Sequence, residues 1–502
     1  MKKNEVIDLS FPQRQSQWAI IFIVLKFLRN FISQAWVLLI PIFLGRGGSS
    51  NEWSNWEIGI AAAGIFSTIW SIISYFKFYF SLSDTDVIIK KGIIQKSNIN
   101  IPYERIQSVN FKQNFLHQFL NVTEVVMDTA GSVQKEIQID ALSWDHAKTL
   151  RNEILKRKKG VQTSNEEAGS ILRETIVEEH EILTLSTFDL VKVGLTQNHL
   201  KLAGLIMGFI FSMWFYAWEF ELDPIDIVKN AYSFVEDRQT SETILIIILL
   251  TIFSVLFSII TTFLNHFKLR FYRVENKFHL TQGLLTRKEV AATDKKIQYI
   301  TWGQNVLQRI INFYQLRFDQ AGTEATSKRG KYSFKIPGCS EEQINYVQEE
   351  WLGKSFIPQN LASVSIHYFY YSLRWLLFTF SFVIGVNIYF QNYKSIILLS
   401  ALFIFLVYIT WLSYKKKKYT LDKDHLYISG GGLGFKYVLM PTFKIQNVSI
   451  TQSPYQWRRQ LSTLRIFTAA GALEIPYIPE KNAVVLMDYL LAQIEKSKKH
   501  WM

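Results

Sequence analysis

The chain has 502 residues, of which 49% are hydrophobic and 15% aromatic, and its formal net charge is +13. Its one cysteine, Cys339, excludes an intramolecular disulfide, so we expect the folded parts to face the cytosol. The apolar residues lie in long runs, which are typical of membrane proteins. In such a chain an excess of Lys and Arg indicates the positive-inside bias, and nucleic acid is not expected as a partner.

Six apolar segments predict membrane spans, paired as three helical hairpins. Lys26, Arg29 and Asn30 interrupt the first segment, so its first turns are expected to lie in the membrane interface. The segments are Trp18–Leu44, Trp56–Tyr75, Leu200–Trp218, Ile244–Phe263, Leu373–Phe390 and Ile396–Leu412.

Charged residues between the spans predict the orientation. The basic clusters Lys156–Lys159 and Lys415–Lys418 fall on one side of the membrane if each pair of spans is a hairpin. An acidic loop joins the third and fourth segments and falls on the other side. Because Lys and Arg collect on cytoplasmic segments, we expect a multi-pass cell-membrane protein with both termini and all soluble units in the cytoplasm.

A polar segment follows each hairpin, and the three segments are copies of one another. Gly283 lies 191 residues after Gly92, and Gln298 lies 191 residues after Gln107. The third copy keeps a constant offset of 339 residues from the first, at Gly431 and at Gln446. Offsets held without a gap over such distances indicate an internal repeat of three units.

Within one unit, short alternating segments predict strands, and the unit closes with an amphipathic helix. Residues 78–82 and 86–90 predict two strands with Gly92 at the turn after them. The helix is predicted from Trp144 onward, with Ser143 as its N-cap. The predicted domains are a hairpin at 1–77, a unit at 78–159, a linker at 160–196, a hairpin at 197–266, a unit at 267–353, a hairpin at 354–414 and a unit at 415–497.

Each unit carries a triplet of a basic residue, isoleucine and glutamine. One interpretation makes the cation and the amide a recurring ligand site. The other makes them residues that the fold requires, and it is favoured because a repeat preserves fold-determining residues first. The triplets are Arg105-Ile106-Gln107, Lys296-Ile297-Gln298 and Lys444-Ile445-Gln446.

Lysines directly after the hairpins are candidate contacts for anionic lipid headgroups. Lys415, Lys416, Lys417 and Lys418 follow the last span, and Lys77 and Lys268 stand alone after the other two hairpins. Each cation near an anionic surface contributes about 1 kcal/mol. A role as topology anchors alone explains the same lysines equally well.

No motif predicts catalysis or a cofactor. The glycine-rich stretch Gly430–Gly434 lacks the Lys-Ser/Thr of a phosphate-binding loop, so it is interpreted as a turn. The nine histidines show no metal-ligand spacing with cysteine or carboxylates. We therefore expect no cofactor, no bound metal and no enzymatic activity.

The repeated pattern resembles the bacterial PH-like membrane proteins of the YdbS/YdbT type, with a three-unit layout closest to YdbT-type members. The resemblance is carried by Gly92-Ile-Ile, Pro102-x-x-Arg105-Ile-Gln-Ser-Val and Thr129-Ala-Gly131, and it covers essentially the whole chain. It implies an α+β membrane protein: three repeats of a transmembrane hairpin followed by a small PH-like β-barrel with a C-terminal helix. The family brings no established catalytic residues. Unit 3 departs most, with Thr468-Ala-Ala470 in place of Thr-Ala-Gly.

These observations predict a non-catalytic membrane scaffold, or a protein that recognises lipids or other proteins. By family resemblance, its role would be in envelope maintenance or in resistance to membrane-active peptides. The expected partners are anionic membrane lipids, and either a smaller membrane protein of the same family or a second copy of the chain. A transporter or export component built from repeated hairpins is the alternative, although the spans lack a buried carboxylate.

Overall fold

The computed structural model of the protein describes seven stretches of the chain. The first predicted span, from residue 26 onward, and the whole third span lie outside them. The described stretches are 9–25, 55–129, 137–163, 180–197, 240–321, 334–389 and 393–496.

The described residues form α-helices and β-strands. The helices are α1 (Asn55–Phe76), α2 (Phe115–Phe119), α3 (Trp144–Thr163), α4 (Thr187–Leu195), α5 (Thr240–His266), α6 (Val306–Ile310), α7 (Glu341–Leu352), α8 (His367–Tyr389), α9 (Tyr393–Lys416), α10 (Pro454–Arg458) and α11 (Glu480–Lys496). The strands of unit 1 are β1 (Tyr79–Leu82), β2 (Asp86–Lys91), β3 (Ser97–Pro102), β4 (Ile106–Gln113), β5 (Val122–Thr129) and β6 (Ile137–Ser143).

Among the described residues, units 2 and 3 each have one more strand than unit 1, and it lies ahead of their apolar helices. Unit 2 contains β7 (His180–Thr184), β8 (Arg270–Val274), β9 (Lys277–Gln282), β10 (Arg287–Thr293), β11 (Ile297–Gln304), β12 (Tyr314–Gln320) and β13 (Phe334–Cys339). Unit 3 contains β14 (Ala362–Ser363), β15 (Lys418–Leu421), β16 (His425–Gly430), β17 (Phe435–Pro441), β18 (Ile445–Thr451), β19 (Leu461–Thr468) and β20 (Gly471–Pro479).

Two of the apolar helices are long and apolar enough to span a membrane. They run over His367–Tyr389 and Leu399–Lys416, within α8 and α9. The rings of Phe380 and Phe403 lie 5.1 Å apart, so these helices pack against each other. Two shorter apolar helical stretches, Gly64–Phe76 and Thr251–His266, lie at the ends of α1 and α5.

The extra strand changes how the apolar helices relate to the folded units. In unit 2, His180 of β7 lies opposite Arg273 of β8, although α4 and α5 separate the two strands in sequence. In unit 3, Ala362 of β14 lies opposite Tyr419 of β15, across α8 and α9. Unit 1 has a single bridge at the same place, from Gln13 to Phe80. The apolar helices are therefore inserted into each unit, after its first extended segment.

Neighbouring units share their sheets. One seven-stranded sheet has the order β6-β5-β4-β10-β9-β8-β7, and the other has the order β13-β12-β11-β17-β16-β15-β14. Strand β4 of unit 1 therefore pairs with β10 of unit 2, and β11 of unit 2 pairs with β17 of unit 3. Two three-stranded sheets complete the described strands: β1-β2-β3 in unit 1 and β18-β19-β20 in unit 3.

This sharing bears on the predicted barrels, which the structure does not confirm. Strand β4 bonds β5 on one side and β10 of the next unit on the other. The edge that would have to close on its own unit is therefore already occupied, because a strand has only two hydrogen-bonding edges. The described strands form open sheets, joined from unit to unit.

Each unit has its own apolar core, and the cores of units 2 and 3 continue into each other. Tyr427 and Leu439 of unit 3 lie in the buried cluster of unit 2. Tyr299 of unit 2 in turn lies in the buried cluster of unit 3. Backbone pairing and side-chain burial therefore both cross the second junction.

The repeated glycines occupy the same turn in all three units. Gly92, Gly283 and Gly431 have φ angles of +108°, +106° and +117°. A Cβ on Gly283 would lie 2.0 Å from the carbonyl oxygen of Thr286, and a Cβ on Gly92 would meet Gln95 in the same way. The turn between the second and third strands after the helices therefore needs glycine, because other residues rarely adopt this backbone conformation.

Candidate membrane-contact surface

The glycine turn of unit 2 lies directly against the end of an apolar helix. The Gly283 N–H donates to the Phe267 carbonyl at 2.9 Å, and the Leu284 N–H donates to the Leu264 carbonyl at 2.9 Å. Leu264 lies in the last turn of α5. Two backbone hydrogen bonds therefore hold the glycine turn beside the end of α5.

Lys416 makes the corresponding connection in unit 3. Its Nζ, at the end of α9, donates to the carbonyls of Gly432 at 2.7 Å and of Leu433 and Gly434 at 3.0 Å. The same Nζ lies 4.0 Å from the centre of the Phe435 ring. This lysine ties the apolar helix to the turn through three carbonyl groups.

Large apolar side chains stand exposed at the tips of these turns. Ile94 is 83% exposed, Leu285 is 42% exposed and Leu433 is 40% exposed. Leu285 and Leu433 lie beside the ends of helices that are themselves apolar and exposed. Exposed apolar side chains gathered on one face indicate a surface that contacts a membrane or a protein.

The short helices α2, α6 and α10 extend this surface. Gln118 of α2 donates from Nε2 to the Leu284 carbonyl of the unit 2 turn at 2.9 Å. Tyr455 of α10 hydrogen-bonds through its hydroxyl to Nδ1 of His367, the first residue of α8, at 2.7 Å. Their outer side chains are large, apolar and exposed, namely Phe119 (79%), Ile310 (75%) and Trp457 (68%). We call the glycine-turn tips and these short helices together the membrane-proximal face.

The six lysines predicted to contact lipid fall into two groups that differ in solvent exposure. Lys77, Lys268 and Lys415 are exposed at the ends of the apolar helices. Lys416, Lys417 and Lys418 are only partly exposed. Besides the carbonyl contacts of Lys416, burial lowers the pKa of Lys417, and Lys418 is paired within β15.

Comparison with known proteins shows which family has this repeated architecture. The model of the Bacterial PH domain family matches residues 20–158, 199–354 and 372–494. The chain belongs to the bacterial PH domain family. It is also similar to the UPF0699 transmembrane protein YdbT of Bacillus subtilis (strain 168), with 21% identity over 500 residues, which are 96% of this chain and 98% of the relative. The protein is thus a transmembrane protein that carries bacterial PH domains, and each family match includes its unit's apolar helices.

The triplets lie at equivalent places in the three PH units but in unequal surroundings. The isoleucines Ile106, Ile297 and Ile445 are buried in every unit. The basic residue is exposed at Arg105 and buried at Lys296 and Lys444. Gln298 is buried and Gln446 is exposed, while the side chain of Gln107 lies outside the described set. The constant burial of the isoleucine indicates that the fold requires it, whereas the surroundings of the cation and the amide differ from unit to unit.

A cleft of about 780 Å³ lies between PH units 2 and 3, at the end of the shared sheet remote from the glycine turns. Lys444 reaches across this cleft, and its Nζ donates to the Lys295 carbonyl at 2.5 Å. Burial lowers the pKa of Lys444 to about 8, opposed by the Asp294 carboxylate and reinforced by Lys295. The cleft mixes both signs of charge, with Asp294, Lys295, Lys354, Asp424, His425, Lys444 and Lys496 among its lining residues.

Lys444 predicts a pH-dependent stability. Its pKa falls from 10.5 to about 8 on folding, so the folded protein binds fewer protons than the unfolded chain between these pH values. Stability therefore rises with pH across this window and is lost as the pH falls towards 8. In detergent, the melting temperature of the wild type should rise by a few degrees from pH 8 to 10 relative to Lys444→Met. Parallel pH profiles for the two proteins would contradict the assignment.

Proposed function

We propose that the protein is a non-catalytic, multi-pass membrane scaffold, and that its three PH units rest on the cytosolic leaflet and recognise anionic lipid. The observation that carries the proposal is the membrane-proximal face. It joins exposed apolar tips, short amphipathic helices and helix ends at one level. Lys77, Lys268 and Lys415 border this face as exposed cations.

The magnitudes favour apolar contact as the main attraction. A large apolar side chain contributes roughly 1.5–3 kcal/mol when fully buried, and less when it enters only the headgroup region. A cation near an anionic leaflet contributes about 1 kcal/mol. The membrane-proximal face has at least six exposed apolar side chains and is bordered by three exposed lysines. We therefore expect apolar contacts to supply most of the binding free energy and anionic lipid to add a smaller part.

Spin labels in full-length protein in nanodiscs test the contact. Single cysteines would replace Ile310 and Trp457 on the membrane-proximal face, and Lys423, exposed at the remote end of unit 3, as a matched control. We expect the labels at 310 and 457 to be accessible to oxygen and shielded from a water-soluble nickel chelate, more strongly with anionic lipid. The label at 423 should show the opposite accessibility. If the label at 457 were as accessible to nickel as the label at 423, the proposal would fail.

The physiological part of the proposal is a role in envelope maintenance or resistance to membrane-active peptides. The sheets shared between neighbouring units support it, because units joined in this way are suited to hold lipids or other membrane proteins in place. A strain without the gene should become more sensitive to membrane-active peptides, and re-expression of the intact chain should restore resistance. Unchanged sensitivity in the deletion strain would refute this role while leaving the lipid contact standing.

A further inference from the structure

Both junctions between PH units use the same strands in the same register. At the first junction, Arg287 of β10 lies opposite Gln113 of β4. At the second, Phe435 of β17 lies opposite Gln304 of β11. Phe435 follows Arg287 by 148 residues and Gln304 follows Gln113 by 191, which are the offsets of the sequence repeat itself. The same strand-to-strand contact therefore joins unit 1 to unit 2 and unit 2 to unit 3.

The two ends of the chain carry the two halves of a third such contact. The strand equivalent to β10 and β17 is β3 in unit 1, and the strand equivalent to β4 and β11 is β18 in unit 3. Among the described residues, β3 pairs only with β2, and β18 pairs only with β19. Units 1 and 3 thus each have one open strand edge. The two edges are complementary, because β3 and β18 are equivalent to the two strands that pair at each internal junction.

These strands offer little protection against pairing. Lys96 directly precedes β3, and β18 has a bulge at Ile445/Asn447, but β4 and β11 have the equivalent bulge and are paired all the same. Neither Ser97–Pro102 nor Ile445–Thr451 contains a charged residue, and the only proline is the last residue of β3. Open edges in natural sheets are usually shielded by charges, prolines or bulges within the edge strand. In contrast, β10, which is already paired inside the chain, carries Arg287, Lys288 and Glu289.

The basic residues of the triplets show the same asymmetry. Lys444 is buried and donates to the carbonyl of Lys295 in the preceding unit. Lys296 is buried at the equivalent place in unit 2. Arg105 is exposed in unit 1, which has no preceding unit within the chain. The environment of this position therefore depends on whether another unit precedes it.

We propose that copies of this chain join head to tail, with β18 of one copy pairing with β3 of the next in the register of the internal junctions. This register places Asn98 opposite Ile450, Ile99 opposite Ser449 and Lys96 opposite Gln452. The glycine turns and apolar helices of both copies remain on the same side, because the internal junctions already combine units in that way. A head-to-tail contact of this kind continues into a ring or a filament in the membrane plane.

Disulfide trapping in native membranes tests the register. Two differently tagged full-length chains are co-expressed, one with Asn98→Cys and the other with Ile450→Cys, so that any linked heterodimer is intermolecular. Directly opposed cross-strand residues are close enough for a disulfide after small adjustments. The native thiol of Cys339 does not interfere, because it is buried and burial raises its pKa to about 12.

The matched control replaces Ile450→Cys by Gln446→Cys, an exposed position on the same strand. Four residues along a strand displace the thiol by about 13 Å, beyond disulfide reach. We expect roughly tenfold more heterodimer from the 98/450 pair than from the 98/446 pair. A second in-register pair, Ser97→Cys with Thr451→Cys, should link as well if one variant folds poorly. The proposal would be overturned if neither in-register pair linked more than the 98/446 control, or if mass photometry of native nanodiscs found single chains. This test does not depend on lipid recognition.

Discussion

Replacing Arg273 with methionine is expected to lower the free energy of unfolding by about 3 kcal/mol. The Arg273 side chain is 9% exposed and forms a fork on Asp294, at 2.8 Å and 3.4 Å, and its Nε lies 2.9 Å from Glu350. Without it, the Asp294 carboxylate loses its main cation in a site where burial already raises its pKa. Breaking a buried pair from one side costs more than the pair itself contributes, because the remaining charge stays desolvated.

Two controls separate this effect from a general loss of charge. Arg465 makes a contact of the same 2.8 Å length with Glu474, but both side chains are nearly half exposed. Arg465→Met should therefore cost less than about 1 kcal/mol. The double variant Arg273→Met/Asp294→Asn should recover part of the loss, since it removes the stranded carboxylate. Equal destabilisation by Arg273→Met and Arg465→Met, measured by chemical denaturation in detergent, would contradict this account.

The repeat arithmetic predicted those features that local backbone geometry determines. Gly92, Gly283 and Gly431 keep constant offsets because one turn requires a positive φ at one position. Ser143 is the predicted N-cap of the helix from Trp144, and its Oγ accepts a hydrogen bond from the His146 N–H at 3.4 Å. These features depend on a few neighbouring residues, so a single sequence contains the information for them.

The strand ahead of the apolar helices could not be predicted in the same way. Strand β7 lies within the predicted linker at 160–196, and β14 has only two residues. The partner of His180 is Arg273, which lies beyond two helices in the sequence. A short strand without an adjacent partner carries no hairpin pattern, so nothing local distinguishes it from a loop.

The shared sheets could not be predicted from the sequence either, because strand pairing uses the backbone N–H and C=O groups, which all residues except proline have in common. The short helices, in contrast, carry a local capping pattern. Asn305 and Ser453 form capping boxes with Gln308 and Gln456, and Asn114 occupies the equivalent cap position in unit 1. This repeated cap marks the helices whose outer residues form the membrane-proximal face. In contrast, the role of Lys416 in holding the unit 3 turn depends on three-dimensional proximity alone.

Substituting Gly303 is expected to separate PH units 2 and 3. Gly303 lies in β11 opposite Lys436 of β17, and a Cβ there would lie 2.4 Å from the carbonyl oxygen of Phe435. This contact is with backbone, which cannot rotate away as a side chain can. At the first junction Lys112 lies at the equivalent place opposite Lys288, so the obstacle is particular to the close approach of β11 and β17. Gly303→Val should therefore cost up to about 3 kcal/mol and open the second junction. Hydrogen exchange should increase in β11 and β17, while β4 and β10 stay protected.

Comparing Gly303→Ala with Gly303→Val shows whether the close backbone contact or the strand propensity of the new residue determines the effect. If strand propensity governed this position, both variants should be tolerated and valine should be the better of the two. If the first side-chain carbon is the obstacle, Gly303→Ala should open the junction nearly as far as Gly303→Val. Thr451→Val, at the equivalent position in β18, should leave exchange unchanged, since threonine already carries a branched Cβ there. An unchanged exchange pattern in both Gly303 variants would show that units 2 and 3 do not depend on this backbone contact.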